Sequence, residues 1–151
     1  MCGRGLKKNG GQPAQGLGRS KGGFSSKIHV AVDALGNPLR VLVTPGQAHD
    51  VTQGPALIEG YQSQYVIADK AYDAQAFIDT IAARGATAVI PPKANRRCPR
   101  DYDRAMYRER HLVECLINKL KHYRRVFSRF EKTDHSFLGF LRFVATLIWL
   151  R

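Results

Sequence analysis

Apolar and polar residues alternate along the chain from about Phe24, and this period of two is typical of half-buried β-strands. The alternation runs from Ile28 to Val32 and resumes from Leu39 to Val43. A Gly-Asn-Pro sequence lies between the two runs, and these residue types favour turns. The pattern therefore predicts a β-hairpin.

Further along the chain the apolar period changes to that of a helix. Phe77, Ile78 and Ile81 lie at helical spacing before Gly85, which predicts a helix over 74–84. Other helical patterns predict a short helix over 51–60, a continuous helix over 104–130 and a buried closing helix over 136–150. Short apolar runs predict strands at 65–68 and 87–90. The order β-β-α-β-α-β-α-α indicates one α/β domain with a mixed sheet.

The charge of the chain is strongly positive and unevenly distributed. The 151 residues, 44% of them hydrophobic, fit one domain with its own core, and the formal net charge is +12. Residues 1–30 contribute +6, residues 31–90 contribute −3 and residues 91–151 contribute +9. Residues 1–23, rich in Gly and Lys, predict a flexible basic arm before a domain at 24–151. Basic flanks around an acidic middle favour a polyanion as partner, although a solvated basic surface gives the same pattern.

Cysteine usage and hydropathy indicate the compartment. Cys2, Cys98 and Cys115 form no even, closely spaced framework, which favours a reducing cytoplasm over a disulfide-stapled fold. The apolar segment 137–150 is shorter than the roughly 20 residues of a membrane span and contains Arg142. We therefore expect no association with a membrane.

Two further candidate sites favour ordinary structural roles. Cys98, His111 and Cys115 resemble a zinc-binding set, but a fourth ligand is missing, and Cys115 is expected in the core. His29 lies on the polar face of the predicted hairpin, where a surface side chain is expected.

Polar residues on the predicted long helix share one face. They are Tyr107, Arg110, Glu114 and Lys121, which fall within an arc of about 60°, and Arg125 extends the stripe. One interpretation is an exposed stripe stabilised by the Arg110–Glu114 pair at i, i+4. The other is that Glu114 is presented for chemistry at the edge of a packed face.

Asp69 directly follows the predicted strand at 65–68, and ligand sites of α/β sheets collect at strand ends. Carboxylates from Asp69 and Glu114 within a basic chain suit Mg²⁺ (or Mn²⁺) with positions left open for phosphate. A helix cap or a surface turn is the structural alternative for Asp69.

Three segments together carry a family resemblance. They are Asp69-Lys70-Ala71-Tyr72-Asp73, the Tyr-Arg-Glu-Lys signature that begins at Tyr107, and the run at 18–23 that leads into Lys27-Ile28-His29. Together, and in their order along the chain, the three segments resemble the C-terminal half of a bacterial insertion-sequence transposase of the DDE type. The resemblance extends from about Gly18 onward.

This resemblance implies a ribonuclease-H-like mixed sheet flanked by helices, in which three carboxylates hold two Mg²⁺ ions. The ions would drive cleavage and transfer of DNA strands at transposon ends. Asp69 would be the second carboxylate and Glu114 the third. The expected DNA-binding side chains are Tyr107, Arg110, Lys121, Arg125, Arg96 and Arg97.

The first carboxylate of the family lies on the central strand, upstream of the run at 18–23, where this sequence has its Gly-rich and Lys-rich arm. Asp33 falls in the predicted turn and Asp50 in a loop, so neither replaces it. We therefore expect a partial catalytic domain without the first central strand.

This partial domain would act with an upstream transposase half, or as a self-oligomer. Its substrates would be double-stranded transposon-end and target DNA at the bacterial nucleoid. The alternatives are a non-catalytic DNA-binding regulator or inhibitor derived from a transposase, and an RNA-associated protein.

Overall fold

A computed structural model describes residues 18–20, 23–129 and 133–151 of the chain. Most of the predicted basic arm, namely residues 1–17 and 21–22, lies outside the described residues. No helix in the described part of the chain is long and apolar enough to cross a membrane.

The predicted hairpin is confirmed and belongs to a three-stranded antiparallel sheet. Strand β1 (Gly18–Ser20) pairs with the start of β2 (Gly23–Val32), and the rest of β2 pairs with β3 (Pro38–Pro45). The hairpin register places Ser26 opposite Pro45 and shifts at a bulge after Ala31.

The hairpin turn is fixed by its own side chains. Asp33 accepts hydrogen bonds from the backbone N–H groups of Leu35 and Asn37 at 2.9 and 2.8 Å. Gly36 has a φ of 82°, a left-handed conformation that suits glycine. Asp33 is therefore a turn residue, as predicted.

The central part of the chain forms a βαβ unit. A 3₁₀ turn (Asp50–Gln53) leads into helix α1 (Gly54–Ile58), and strand β4 (Tyr65–Ile67), helix α2 (Gln75–Ala83) and strand β5 (Thr87–Val89) follow. β4 and β5 pair in parallel as a separate two-stranded sheet. The α/β class is confirmed, but the described strands form one antiparallel and one parallel sheet instead of the single mixed sheet predicted.

The long helix predicted over 104–130 is wrong as a single element. The segment divides into α3 (Arg104–Tyr107), a 3₁₀ turn (Arg108–Arg110), α4 (His111–Lys121) and α5 (Arg124–Phe127). The break before α5 occurs where Tyr123 adopts an extended conformation and packs against the core. Cys115 on α4 is exposed, so its expected place in the core is also wrong.

The closing helix α6 (Asp134–Trp149) is confirmed, and Thr133 caps it by accepting a hydrogen bond from the Ser136 N–H. Its buried side is formed by Phe137, Leu141, Val144 and Ala145. Phe143 and Trp149 are exposed, so the prediction that the helix is buried holds for one side of it only.

The described apolar side chains form two separate clusters. The larger cluster joins the hairpin to α4, α5 and α6 around Leu116, Leu120 and Leu141. The smaller cluster joins the βαβ unit around Phe77 and Ile81. A groove of about 850 Å³ runs between the hairpin and β4 and borders both clusters.

Candidate active site and nucleic-acid interface

Asp69 lies just beyond the end of β4 and lines the groove. Its Oδ1 accepts a hydrogen bond of 2.8 Å from the Ala71 N–H, and the residue caps a 3₁₀ turn over Lys70–Tyr72. Asp69 therefore has the capping role that was the structural alternative to metal binding. The cap uses one carboxylate oxygen and leaves Oδ2 for another ligand.

Glu114 lies in the first turn of α4, and its side chain is 55% exposed. Its Oε1 accepts a hydrogen bond from Arg110, as the i, i+4 spacing predicts. The Arg110 guanidinium also lies 5.8 Å from the centre of the Tyr107 ring. Arg110 thus contacts two other members of the predicted stripe.

The structure brings Asp69 and one member of the stripe, Arg110, to the same groove without joining the two carboxylates directly. Asp69, Arg110 and Glu109 line the groove, whereas Glu114 lies one helical turn beyond Arg110. Within the described ranges, Asp69 and Glu114 share no hydrogen bond, and no three His, Cys, Asp or Glu side chains form a group able to hold a metal ion.

The other predicted DNA-binding residues differ in their surroundings. Lys121 and Arg97 are exposed. Arg125 lies on α5 with its guanidinium 5.6 Å from the Phe140 ring centre. Arg96 instead donates hydrogen bonds to Asp73 and Gln75, each at 2.5 Å, and thereby fixes the basic loop at 93–100.

Sequence reasoning missed the role of Asp73, whose side chain is only 1% exposed. Its carboxylate accepts hydrogen bonds from Arg96 and Arg100 at 2.5 Å and from the Lys93 N–H at 2.8 Å. These contacts hold the basic loop at 93–100 against the start of α2. The sequence does show an acidic residue, Asp73, and a later loop with several arginines. This pattern is compatible with ion pairs, but it does not specify that Asp73 pairs with Arg96 and Arg100.

The predicted surface position of His29 is wrong, because the residue is only 4% exposed. One ring nitrogen lies 2.7 Å from the Thr44 hydroxyl and the other lies 3.3 Å from the Tyr72 hydroxyl. Burial lowers the pKa of His29, and the neighbouring Asp50 partly opposes that shift.

Two carboxylates influence the tyrosine bonded to His29. Burial raises the pKa of Tyr72, and the negative charges of Asp50 and Asp69 raise it further. Asp50 forms a 3.0 Å ion pair with Lys27. Tyr72 therefore stays protonated, and two carboxylates, Asp50 and Asp69, act on it at this end of the groove.

Comparison with known proteins identifies the family. The sequence profile of the transposase DDE domain matches residues 3–149. A protein of Brucella ovis, named as a transposase of insertion sequence element IS6501, is 43% identical over 130 residues, which cover 85% of this chain and 100% of that protein.

A second relative is longer than this chain. The chain is 30% identical over 135 residues to a protein of Burkholderia cepacia named as a transposase of insertion sequence element IS402, and the match covers 82% of this chain but 62% of that protein. No solved structure matches significantly. Because the profile matches almost every residue and both relatives are insertion-sequence transposases, the chain belongs to the bacterial insertion-sequence transposases with a DDE domain.

Proposed function

We propose that this chain supplies two of the three metal-binding carboxylates of a DDE transposase and binds the DNA at the ends of an insertion sequence. The observation that carries the proposal is the groove that Asp69 shares with Arg110, the residue that holds Glu114. Asp69 thus lines the groove, and Glu114 is paired with Arg110, a basic side chain that lines the same groove. Transposases act on DNA, so the substrate class follows from the family.

The donor chemistry of the two carboxylates fits a divalent metal ion, which the family generally uses. Mg²⁺ and Mn²⁺ prefer oxygen ligands, and Mg²⁺ is commonly held by one or two carboxylates together with water and phosphate. Asp69 Oδ2 and the exposed side chain of Glu114 supply such oxygens. The metal ion would stabilise negative charge that develops on the phosphate and activate water.

The chain's own residues would position the DNA. Arg110 forms an ion pair with Glu114 in the structure. We infer that the Arg110 guanidinium binds a DNA phosphate instead when Glu114 binds a metal ion. Lys121 and Arg97 are exposed and available for further phosphate contacts. In cleavage, water attacks phosphorus and the 3′ oxygen leaves. In transfer, that 3′-hydroxyl attacks a phosphodiester of the target DNA, forms the new P–O bond and displaces the 3′ oxygen of the target strand.

We further propose that the fold is ribonuclease-H-like and that the remaining carboxylate, the first of the family's three, comes from outside the described residues. An antiparallel hairpin beside a parallel βαβ pair supports the fold. The described part of the chain contains no three-carboxylate group, which supports an incomplete site. We therefore expect the chain to cleave DNA only when an upstream transposase half completes the site.

The ion pair between Arg110 and Glu114 favours one alternative, a DNA-binding regulator without catalytic activity. In such a protein Glu114 would orient Arg110 toward DNA and would never bind a metal ion. The two functions predict different effects of the same substitutions.

Metal binding separates these functions. We expect Asp69→Asn and Glu114→Gln each to weaken Mn²⁺ binding by about tenfold, measured by electron paramagnetic resonance on the full chain with transposon-end DNA. The matched control is Glu109→Gln, which removes a groove carboxylate that is not assigned to the metal. DNA affinity, measured by fluorescence anisotropy, should fall little in all three variants.

Two outcomes would contradict the proposal. Equal Mn²⁺ affinity in all variants would favour the regulator. Specific Mg²⁺-dependent nicking by the purified chain would show that it needs no upstream half.

A further inference from the structure

One side of helix α6 is exposed and almost uncharged. Its exposed positions recur at spacings of three and four, so they form one continuous surface, which is termed the α6 face. They are His135, Ser136, Gly139, Arg142, Phe143, Thr146 and Trp149, and Leu150 follows directly after the helix. Among these described positions, Arg142 is the one residue with a full charge at neutral pH.

The α6 face contains three of the five large apolar side chains that are exposed in the described part of the chain. Phe143, Trp149 and Leu150 each expose half or more of their surface. Trp149 is also held in place, because its indole N–H donates a 2.6 Å hydrogen bond to the Pro38 carbonyl on β3. The polar atom of the indole is thus satisfied within the chain, and its exposed apolar ring is left for a partner.

Charge indicates which partner fits the α6 face. A nucleic acid requires several positive groups to neutralise its phosphates, and this face offers Arg142. A second copy of the chain has the same net charge of +12, so the two copies repel each other over most of their surface. The α6 face is a surface at which two copies can approach with little repulsion.

The exposed residues of α6 differ in size between its two halves. The first half presents small side chains at Ser136 and Gly139, whereas the second half presents Phe143 and Trp149. A Cβ at Gly139 would meet no described atom within 4 Å apart from the backbone of its own helix. Packing within the chain therefore does not require this glycine, although glycine destabilises a helix interior relative to alanine. Close approach of a second helix does require a small residue.

We infer that the α6 faces of two copies of this chain pack antiparallel about a two-fold axis and form a homodimer. With the axis between residues 142 and 143, Ser136 of one copy lies opposite Trp149 of the other, and Gly139 lies opposite Thr146. Each bulkier side chain then meets a smaller one, so the helices interlock closely. A parallel arrangement would instead place the large side chains against each other.

The charged residue of the α6 face also has a place in this arrangement. Arg142 of each copy lies beside the Phe143 ring of the other copy. A guanidinium group is attracted to the face of an aromatic ring, so the two arginines would be accommodated without an acidic partner.

The size of the face sets the expected strength of the dimer. Since an aromatic side chain buries about 150–250 Å² when fully covered, Phe143 and Trp149 together with Leu150 offer roughly 300 Å² per copy. Neighbouring residues add to this area, but a standard stable interface buries roughly 800 Å² per partner. We therefore expect a weak dimer with a Kd of about 10–100 μM.

Two measurements on the full chain test the inference. Sedimentation equilibrium gives the Kd, and the fluorescence of Trp149, the single tryptophan of the sequence, reports the interface. Dilution through the Kd should shift the Trp149 emission to longer wavelength as water reaches the indole. Added salt should strengthen the dimer, because salt screens the repulsion between two positive chains and leaves apolar contacts intact. DNA binding has the opposite salt dependence.

Three variants separate the α6 face from other surfaces. Phe143→Lys should weaken the dimer at least tenfold, because it places a charge in an apolar contact beside Arg142 of the other copy. The matched control is Leu35→Lys, which makes the same change of charge at an exposed apolar residue of the hairpin turn and should leave the Kd unchanged. Gly139→Ala should raise the stability of the chain and yet weaken the dimer about fivefold, a combination that misfolding does not produce.

Cross-linking tests the antiparallel register. The chain carries Gly139→Cys together with Thr146→Cys, and its native cysteines are replaced by serine. The two positions lie about 10 Å apart along one helix, too far for a disulfide within one copy. Mild oxidation should therefore yield a covalent dimer, and Gly139→Cys alone should yield much less.

Several results would overturn the inference. They are a monomer at concentrations well above the expected Kd, a dimer that Phe143→Lys leaves intact, and equal weakening by Leu35→Lys. A non-covalent dimer without the expected cross-link would contradict the antiparallel register. None of the described residues that line the groove with Asp69 belongs to α6, so the dimer requires neither DNA nor metal. Its failure is therefore distinguishable from failure of the proposed catalytic role.

Discussion

At the scale of single residues, His29 links the hairpin to the loop that contains Asp69. Its ring nitrogens contact the hydroxyl groups of Thr44 on β3 and Tyr72 after β4. A buried imidazole with two hydroxyl partners is satisfied in its neutral form. The residue therefore stabilises the fold as long as it stays unprotonated.

Acidification should weaken this link. Burial lowers the folded-state pKa of His29 below 6.5, so the unfolded chain takes up a proton first as the pH falls through that value. The contribution of His29 is complete above about pH 7 and is lost as the pH falls through 6.5 toward the lower folded-state pKa. We expect a smaller free energy of unfolding at pH 5.5 than at pH 7.5 in urea titrations.

Two variants isolate the contribution of His29. His29→Gln should lower stability at pH 7.5 by about 1–2 kcal/mol, because Thr44 and Tyr72 lose a well-placed partner. It should also remove most of the pH dependence between 5.5 and 7.5. The control His49→Gln changes an exposed histidine and should behave like the unmodified chain. An unchanged pH dependence in His29→Gln would contradict the assignment.

At the scale of elements, close packing of α1 on α2 depends on Gly54. A Cβ added at this position would lie 2.7 Å from the Phe77 ring, and Phe77 is buried. At Gly139, in the interior of α6, an added Cβ would have no described atom within 4 Å apart from the backbone of its own helix. Gly54 is therefore required for close packing, whereas at Gly139 only the helix propensity of the residue matters within a single copy of the chain.

We expect opposite effects from the same substitution at these two sites. Gly54→Ala should destabilise the chain by about 1–3 kcal/mol through overpacking against Phe77. Gly139→Ala should stabilise it by about 0.5–1 kcal/mol, because alanine favours the helical conformation. Urea denaturation measures both changes. A neutral Gly54→Ala would show that α1 shifts away from α2 at little cost.

Periodicity predicted most elements because their apolar positions are local in sequence. The hairpin, α2 and α6 follow directly from spacing and from end signals such as Gly85, whose φ is 74°. The break between α4 and α5 has no Gly or Pro to signal it. It arises from tertiary packing of Tyr123, which single-sequence spacing does not contain.

The parts of the candidate site that depend on local sequence patterns were predictable, and the parts that depend on distant segments were not. A strand end placed Asp69, and helical spacing placed Glu114 beside Arg110. The burial of His29 and the contacts of Asp73 depend on segments distant in sequence. Local patterns do not determine such contacts.

At the scale of the whole molecule, positive charge is concentrated outside the βαβ unit. Residues 91–151 contribute +9 to the net charge, whereas residues 31–90 contribute −3. Lys121 on α4 and Arg97 in the basic loop are exposed members of the positive region. A phosphate backbone that follows this region would release counterions on binding.

The salt dependence of DNA binding tests this distribution. We expect the affinity for duplex DNA to fall steeply with salt, and Lys121→Gln or Arg97→Gln each to reduce the slope of log K against log salt by about one. Arg84→Gln is the matched control, because Arg84 lies in the acidic middle and donates a 2.7 Å hydrogen bond to the Ile58 carbonyl. Its slope should equal that of the unmodified chain.

The same titration distinguishes a DNA surface from a general basic surface. If the interface is built for duplex DNA, the two variants lose slope on duplex DNA and the chain prefers duplex DNA over RNA at fixed salt. An equal loss for Arg84→Gln would show that net charge alone sets the affinity, with no localised interface. A preference for RNA would instead favour the RNA-associated alternative. The slope therefore reports how many phosphates are contacted, and the variants report where.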